Sequence, residues 1–285
     1  MSLYQIVEKR PAIEQPVLIV ALEGWVNAGE AATTAARRIA HGGELIAAFD
    51  PDSLFDYRAR RPALDISDGT FQRLTWPDLN LRCVSIDGRD VLVLTGHEPD
   101  YRWRAFSRAV RTLASELGVI QCISLGAIAW ATPHTHPTQL ITTASNRELL
   151  RPEDRFTEGP IRVPAAAVSV VDMALSEHGT PTVGFWAQVP HYVSSTYYPA
   201  VIALLERLGR HMGVAFETDE LVAEASKQRS ILDAAVAQRE EIEQYVQQLE
   251  QLSADGVSLD PNEVPSGDEL ADEIERFLRG ARGED

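Results

Sequence analysis

Residues Asp90 to Arg104 read DVLVLTGHEPDYRWR. An apolar run, Val91–Leu94, passes straight into a polar and aromatic loop, Thr95–Asp100, and that loop opens a long helical pattern. A short run of consecutive apolar residues is what a strand covered on both faces looks like. Beyond it, Trp103, Phe106, Val110, Leu113 and Leu117 are spaced 3, 4, 3 and 4, which is one apolar face of a helix. A covered strand feeding directly into an amphipathic helix is the building unit of α/β proteins, where ligands sit in the crevice beyond the carboxyl ends of the strands. The Glu, His, Tyr, Trp and Arg side chains gathered at this exit form either a site or an elaborate helix entry. Asp100 reads as the N-cap, with Pro99 fixing the entry and Trp103 in the core. Glu98 and Tyr101 are left without a folding role.

The same alternation extends outward. Strands are expected at Pro16–Leu22, Glu44–Phe49, Leu81–Ile86, Val119–Leu125, Gln139–Ala144 and Thr182–Val189. Helices are expected at Ala28–Ala40, Pro164–His178 and Tyr198–Met212, the second with Pro in its first turn. Asp87-Gly88 between two apolar runs signals a hairpin, so the sheet is mixed and mostly parallel. This α/β body covers about residues 1–218. From Asp219 to Leu252 there is neither Gly nor Pro, and Leu221, Ala225, Leu232, Ala235, Ile242, Val246 and Leu249 form a narrow stripe. Residues 219–252 are therefore expected to form one long amphipathic helix, packed on the body or reaching another subunit. Residues 253–285 read as an acidic linker and a short C-terminal helix, Gly267–Leu278.

Charge bounds the partners. The chain of 285 residues carries a formal net charge of −16. From Asp219 onward 18 acidic and 6 basic residues give −12, leaving −4 for the body. Phosphate-backbone binding needs clustered Lys and Arg, so nucleic acid is not an expected partner. No apolar run approaches the roughly 20 residues of a membrane span. The first residues lack a basic-then-apolar leader pattern, and the reading expects a cytoplasmic protein. Cys83 and Cys122 lie far apart in apolar runs and read as buried thiols.

Four loops at strand exits hold the residues that could carry chemistry. Glu23-Gly24-Trp25-Val26-Asn27-Ala28-Gly29 turns tightly before a helix whose free N–H groups could hold an anion, but it is neither GxGxxG nor a P-loop. Asp56-Tyr57-Arg58-Ala59-Arg60-Arg61-Pro62 offers guanidinium forks suited to carboxylate, phosphate or subunit ion pairs. His134 and His136, at i and i+2, point the same way in an extended segment; two ligands do not make a metal site, and no metal or cofactor is expected. Gln188-Val189-Pro190-His191-Tyr192 repeats the polar and aromatic theme. Glu98, Glu23 and His134 are the acid–base candidates, and Trp25, Asn27, Arg58, Arg61, Tyr101, His136 and His191 the ligand-binding candidates. No GxSxG nucleophile elbow occurs.

Taken in order, EGWVNAG, DYRARRP, GHEPDYRW, PHTHP and GFWAQVPHY resemble the proteasome-assembly-chaperone family in its actinobacterial branch, over about residues 1–250. The resemblance implies a three-layer α/β/α sandwich like that of nucleoside phosphorylases and related hydrolases, with a C-terminal helical extension. It also implies homo-oligomers, with a trimer favoured. Some relatives end in a hydrophobic-Tyr-any tripeptide that docks into proteasome α-ring pockets. This sequence ends RGARGED, so that docking mode is not expected. Two functions follow: a non-catalytic, homo-oligomeric assembly factor that binds itself and another protein, or an enzyme or binding protein for a nucleoside, phosphorylated or peptide ligand in the strand-exit crevice.

Overall fold

A computed structural model describes residues 3–8, 10–238 and 240–254. Its strands are β1 (Tyr4–Ile6), β2 (Val17–Glu23), β3 (Glu44–Phe49), β4 (Ala63–Ser67), β5 (Thr70–Thr75), β6 (Leu79–Ile86), β7 (Arg89–His97), β8 (Gln121–Trp130), β9 (Leu140–Ala144) and β10 (Thr182–Pro190). Its α-helices are α1 (Ala31–Ile39), α2 (Pro51–Leu54), α3 (Trp103–Glu116), α4 (Ala167–Ser176), α5 (Tyr198–Met212), α6 (Asp219–Val236) and α7 (Glu240–Ala254).

Eight strands form one sheet in the order β1-β3-β6-β7-β2-β8-β10-β9. The central four, β7-β2-β8-β10, are parallel, and the flanking pairs are antiparallel. The central strands are apolar at successive positions because both of their faces are covered. Ile19, Ala21, Val91, Val93, Ile123 and Leu125 face the layer made by α1 and α5. Their neighbours Leu18, Val20, Leu22, Leu92, Leu94 and Cys122 face α3 and α4. The fold is thus the expected three-layer α/β/α arrangement with a mixed sheet. The Asp87-Gly88 hairpin joins β6 to β7 with positive φ at both turn residues, 50° and 75°, as the primed hairpin turn requires.

Local departures have local causes. The helix expected from Ala28 begins as a 3-10 turn and becomes α1 only at Ala31, because Gly29 (φ 55°) and Glu30 (φ 47°) turn left-handed. Gly29 is pressed against Tyr197, where a Cβ would lie 2.7 Å from the tyrosine Cβ. β8 continues through GAIAW, expected as loop, by pairing with β10 as far as Trp130 and Pro190. The helix expected from Pro164 starts at Ala167.

The stretch expected as one helix over 219–252 is two, α6 and α7. The break lets Leu221, Leu232 and Leu249 all join the main core, while Val236, Ile242 and Val246 close the corner between the helices. The apolar stripe is thereby used on the chain's own body. The short helix expected at Gly267–Leu278 lies outside the described residues. β1 and the β4–β5 hairpin are additional elements. The hairpin turns at Asp68-Gly69 (φ 49° and 74°), the same dipeptide signal as Asp87-Gly88.

Candidate functional site at the strand exits

β2 and β7 end side by side, Glu23 opposite His97. The Glu98 amide donates to the Glu23 carbonyl at 2.7 Å, which carries the pairing one residue past the strands. Glu23 Oε2 lies 3.1 Å from His97 Nε2, and the Arg37 guanidinium pairs with Oε1. Burial, reinforced by the Arg60 charge, pushes the His97 pKa down. The neutral ring is thereby favoured, with Nε2 facing the Glu23 carboxylate. Nδ1 is buried without a hydrogen-bond partner among the described residues, as are Thr95 Oγ1 and Arg60 Nε.

Glu98 has a folding role that its sequence context does not show. Its Oε1 accepts the Ala167 N–H at 2.6 Å. Ala167 opens α4, and the α4 N-cap residue, Ala166, has no side chain able to cap. Glu98 supplies the missing cap from 69 residues away. Gly24 permits the approach, since a Cβ there would sit 2.3 Å from Glu98 Oε2. Burial raises the Glu98 pKa, with the Ala167 amide and the Arg60 charge opposing it. Glu98→Ala is expected to lower stability by about 1 kcal/mol, whereas Glu98→Gln, which keeps the acceptor, should lie within about 0.5 kcal/mol of wild type. Denaturant titration of both variants checks this; an equal loss in both would show that charge, and not capping, is what matters.

Asp100 is not the α3 N-cap. That position is Arg102, in a left-handed conformation (φ 60°) and without a side-chain cap bond. Asp100 instead accepts from the Asp56 amide at 2.8 Å and from Arg60 at 3.3 Å. Tyr101 donates its hydroxyl to Asp56 at 2.9 Å. The two loops therefore bind each other, which gives Tyr101 a structural partner. Arg60 is the engaged arginine of DYRARRP, while Arg58 and Arg61 are exposed. Trp103 packs at the edge of the core as expected, and its indole N–H donates to the Pro99 carbonyl.

The exits of β8 and β10 form a second, separate group. The buried His134 accepts the Tyr192 hydroxyl at Nδ1 (2.7 Å) and points Nε2–H at Asp233 of α6 (3.2 Å). Its amide donates to the same hydroxyl, and its carbonyl accepts from Arg229. Burial and the Arg229 charge lower its pKa, which favours the neutral ring. His191 bonds the Trp130 carbonyl through Nδ1 and accepts the Tyr245 hydroxyl of α7 at Nε2, 3.1 Å. Both histidines thus fasten the C-terminal helices to the sheet. Asn27 caps α1 by accepting the Thr33 amide at 3.1 Å. Trp25 is exposed, and His136 makes a backbone bond to Pro133.

The structure brings Glu23 and Glu98 together and draws His134 to α6 instead, away from the Glu23–His97 pair. Among the described residues no three His, Cys, Asp or Glu side chains are placed to hold a metal, and no helix is long and apolar enough to cross a membrane. A small apolar cavity lined by Leu18, Phe49, Leu92, Leu94 and Val110 lies within the α3 layer. A buried carboxyl lies outside the strand-exit loops. Asp172 of α4 points at β8, accepts from Ser124 Oγ at 2.6 Å, and is pushed up to about 7 by burial.

A model of the PAC2 family matches residues 21–236. Among curated proteins none matches the chain. A Corynebacterium glutamicum protein of unknown function is similar with TM-score 0.82 and 30% identity, over 89% of this chain and 97% of that one. A Mycobacterium tuberculosis proteasome-assembly chaperone homologue is similar with TM-score 0.74 and 31% identity, over 81% of this chain and 99% of that one. A Pyrococcus furiosus archaeal proteasome activator shares the fold, with TM-score 0.64 and 15% identity over 82% of this chain and 99% of that one.

Proposed function

The chain belongs to the PAC2 family, and on that premise we propose that it is a non-catalytic protein-binding assembly factor that works as a homo-oligomer. The observation that carries this reading is the β4–β5 hairpin. Both of its strands are exposed along their whole length. Cross-strand pairs Leu64–Leu74 and Ile66–Phe71 put four apolar side chains on one face, 47% to 79% exposed. At its root Trp76, 47% exposed, meets the Tyr57 ring at 4.9 Å. A lone two-stranded hairpin is marginal in water, and an apolar patch of this kind marks an interaction surface. The relative named as a proteasome-assembly chaperone homologue supports a protein as the further partner. The strand-exit residues support a structural use of the polar groups, because Glu98 caps α4 and His134 holds α6.

Sedimentation gives the test. The wild-type chain is expected to run above the 31.4 kDa of one copy, and a Phe71→Asp/Leu74→Asp chain to fall to it. A monomeric wild type that also captures no protein from native lysate would defeat the reading. A second reading, a small ligand in the β2/β7 crevice, is favoured by the unpartnered buried Thr95 Oγ1, His97 Nδ1 and Arg60 Nε. A melting temperature that stays constant across nucleotides, peptides and divalent metals would remove it.

A further inference from the structure

Helix α3 carries arginines where helix physics disfavours them. Arg102 occupies the N-cap, and Arg104 lies in the first turn, which holds no acidic residue. The amino end of a helix bears partial positive charge, so a cation there costs about 0.3–1 kcal/mol. Arg104, Arg108 and Arg111 are spaced 4 and 3 and form one ridge, with the 104–108 pair placing like charges at i and i+4. Arg104 and Arg108 are exposed, and Arg111 Nη1 meets His178 Nε2, not a carboxylate. Among the described residues, no carboxylate lies within salt-bridge distance of Arg102, Arg104 or Arg108. In a chain with net charge −16, a cationic ridge left unpaired is not a product of folding needs.

The chain itself contains the complementary charge. Residues 255–285 hold 10 acidic and 3 basic side chains, net −7, and Asp268–Glu275 (DELADEIE) holds five acids and no base. The described chain ends at Ala254 of α7, whose Glu250 accepts from Thr135 in the loop beyond β8. That is the carboxyl end of the sheet, where α3 also begins after β7. α7 packs through Leu249 with the α1/α5 layer and α3 covers the opposite face, so the path from β8 to the ridge crosses two strand spacings, about 10 Å, and two layer spacings, about 20 Å. The 14 residues from Ala254 to Asp268 can span up to about 45 Å. A segment tethered at this length acts at an effective concentration on the order of millimolar, well above a free acidic partner.

We propose that the acidic segment Asp268–Glu275 docks onto the Arg104–Arg108–Arg111 ridge of its own chain. Any acidic partner for this surface must then displace the tail. The inference stands independently of the oligomeric reading.

Both native cysteines are buried, so a nitroxide on Ser266→Cys in the full chain labels the tail selectively. Amide signals of residues 104–111 are expected to broaden in low salt. The broadening should be lost in Arg104→Glu/Arg108→Glu and at about 0.5 M salt, where exposed charges are screened within a few ångströms. It should return when the arginine reversal is combined with Asp272→Lys/Glu273→Lys. Absence of broadening in the wild type, or its survival in the arginine reversal, overturns the proposal. So does broadening seen only when isotope-enriched unlabelled chains are mixed with unenriched spin-labelled ones, since the tail would then act between copies. Arg104 and Arg108 make no side-chain contact that folding needs, and an unchanged melting curve verifies this for the variant.

Discussion

An Asp172→Asn chain should be more stable than wild type at pH 8, by on the order of 2–4 kcal/mol, and about equal to it at pH 4. Asp172 sits on the face of α4 that also buries Val168, Val171 and Leu175. Its carboxyl meets the Ser124 hydroxyl at 2.6 Å and the Cys122 thiol at 3.9 Å, and among the described residues no cation pairs with it. Burial therefore raises its pKa from the ordinary 3.8 to about 7. Between those values the folded chain holds a proton that the unfolded chain has released, so rising pH favours unfolding. The loss begins near pH 4, grows to about pH 7 and is complete above it. Asparagine keeps an acceptor for Ser124 and removes the ionisation. Thermal melts of both chains from pH 4 to pH 8 measure the effect, with an expected gain of about 5–10 °C at pH 8 for a chain of this size. If the two curves run parallel across that range, the buried carboxyl is not the cause.

The sheet was legible because its central strands announce themselves as continuous apolar runs and α3 and α5 as periodic ones. Tyr198–Met212 was read to the residue. The β4–β5 hairpin is not legible although Asp68-Gly69 marks its turn, because a register shift spaces Phe71 and Leu74 three apart in β5 and the exposed element has no core to confirm it. The break between α6 and α7 was not legible. Neither Gly nor Pro marks it, and it arises from the need to seat Leu221, Leu232 and Leu249 on one body.

The candidate site was legible in position more than in meaning. Strand exits were expected to gather Glu23 and Glu98, and they do, because β2 and β7 are parallel neighbours in register. Residue type alone groups His134 with them. Its partners, Tyr192 and Asp233, lie 58 and 99 residues away, and no local pattern announces them. The position of Asp100 before the helix predicts a cap. The structure uses it to hold the Asp56 loop, and a left-handed Arg102 starts the helix instead. Glu98, Asp100 and His134 are each tied down by residues far away in the sequence, so their partners are set by tertiary neighbours and not by local pattern.

Arg207→Ala should destabilise the chain by about 3–5 kcal/mol, the expected consequence of breaking a buried ion pair. Arg207 and Asp154 are 5% and 1% exposed, with Nη2 and Nε at 2.5 Å and 3.0 Å from Asp154 Oδ1. Asp154 also accepts from Thr142 Oγ1 and from the Arg151 amide, and the Arg207 guanidinium lies 4.1 Å from the Phe185 ring centroid. Burial alone would raise the Asp154 pKa, but the Arg151 amide and Arg207 outweigh it and hold the carboxyl below its ordinary value. Its contribution is therefore present at neutral pH and lost as pH falls below about 4. Arg207 anchors the start of the irregular segment 151–166, and Glu98 anchors its end at Ala167. Removing the arginine leaves Asp154 charged without its cation, while Arg151 still binds the Arg210 and His211 carbonyls of α5. The double variant Arg207→Met/Asp154→Leu should recover most of the loss, because an apolar pair of similar volume leaves no buried charge. Denaturant unfolding of the wild type, Arg207→Met, Asp154→Leu and the double gives the coupling between the two sites. A single-variant loss under about 1 kcal/mol, or a double variant as unstable as Arg207→Ala, would show that the pair does not hold this segment in place.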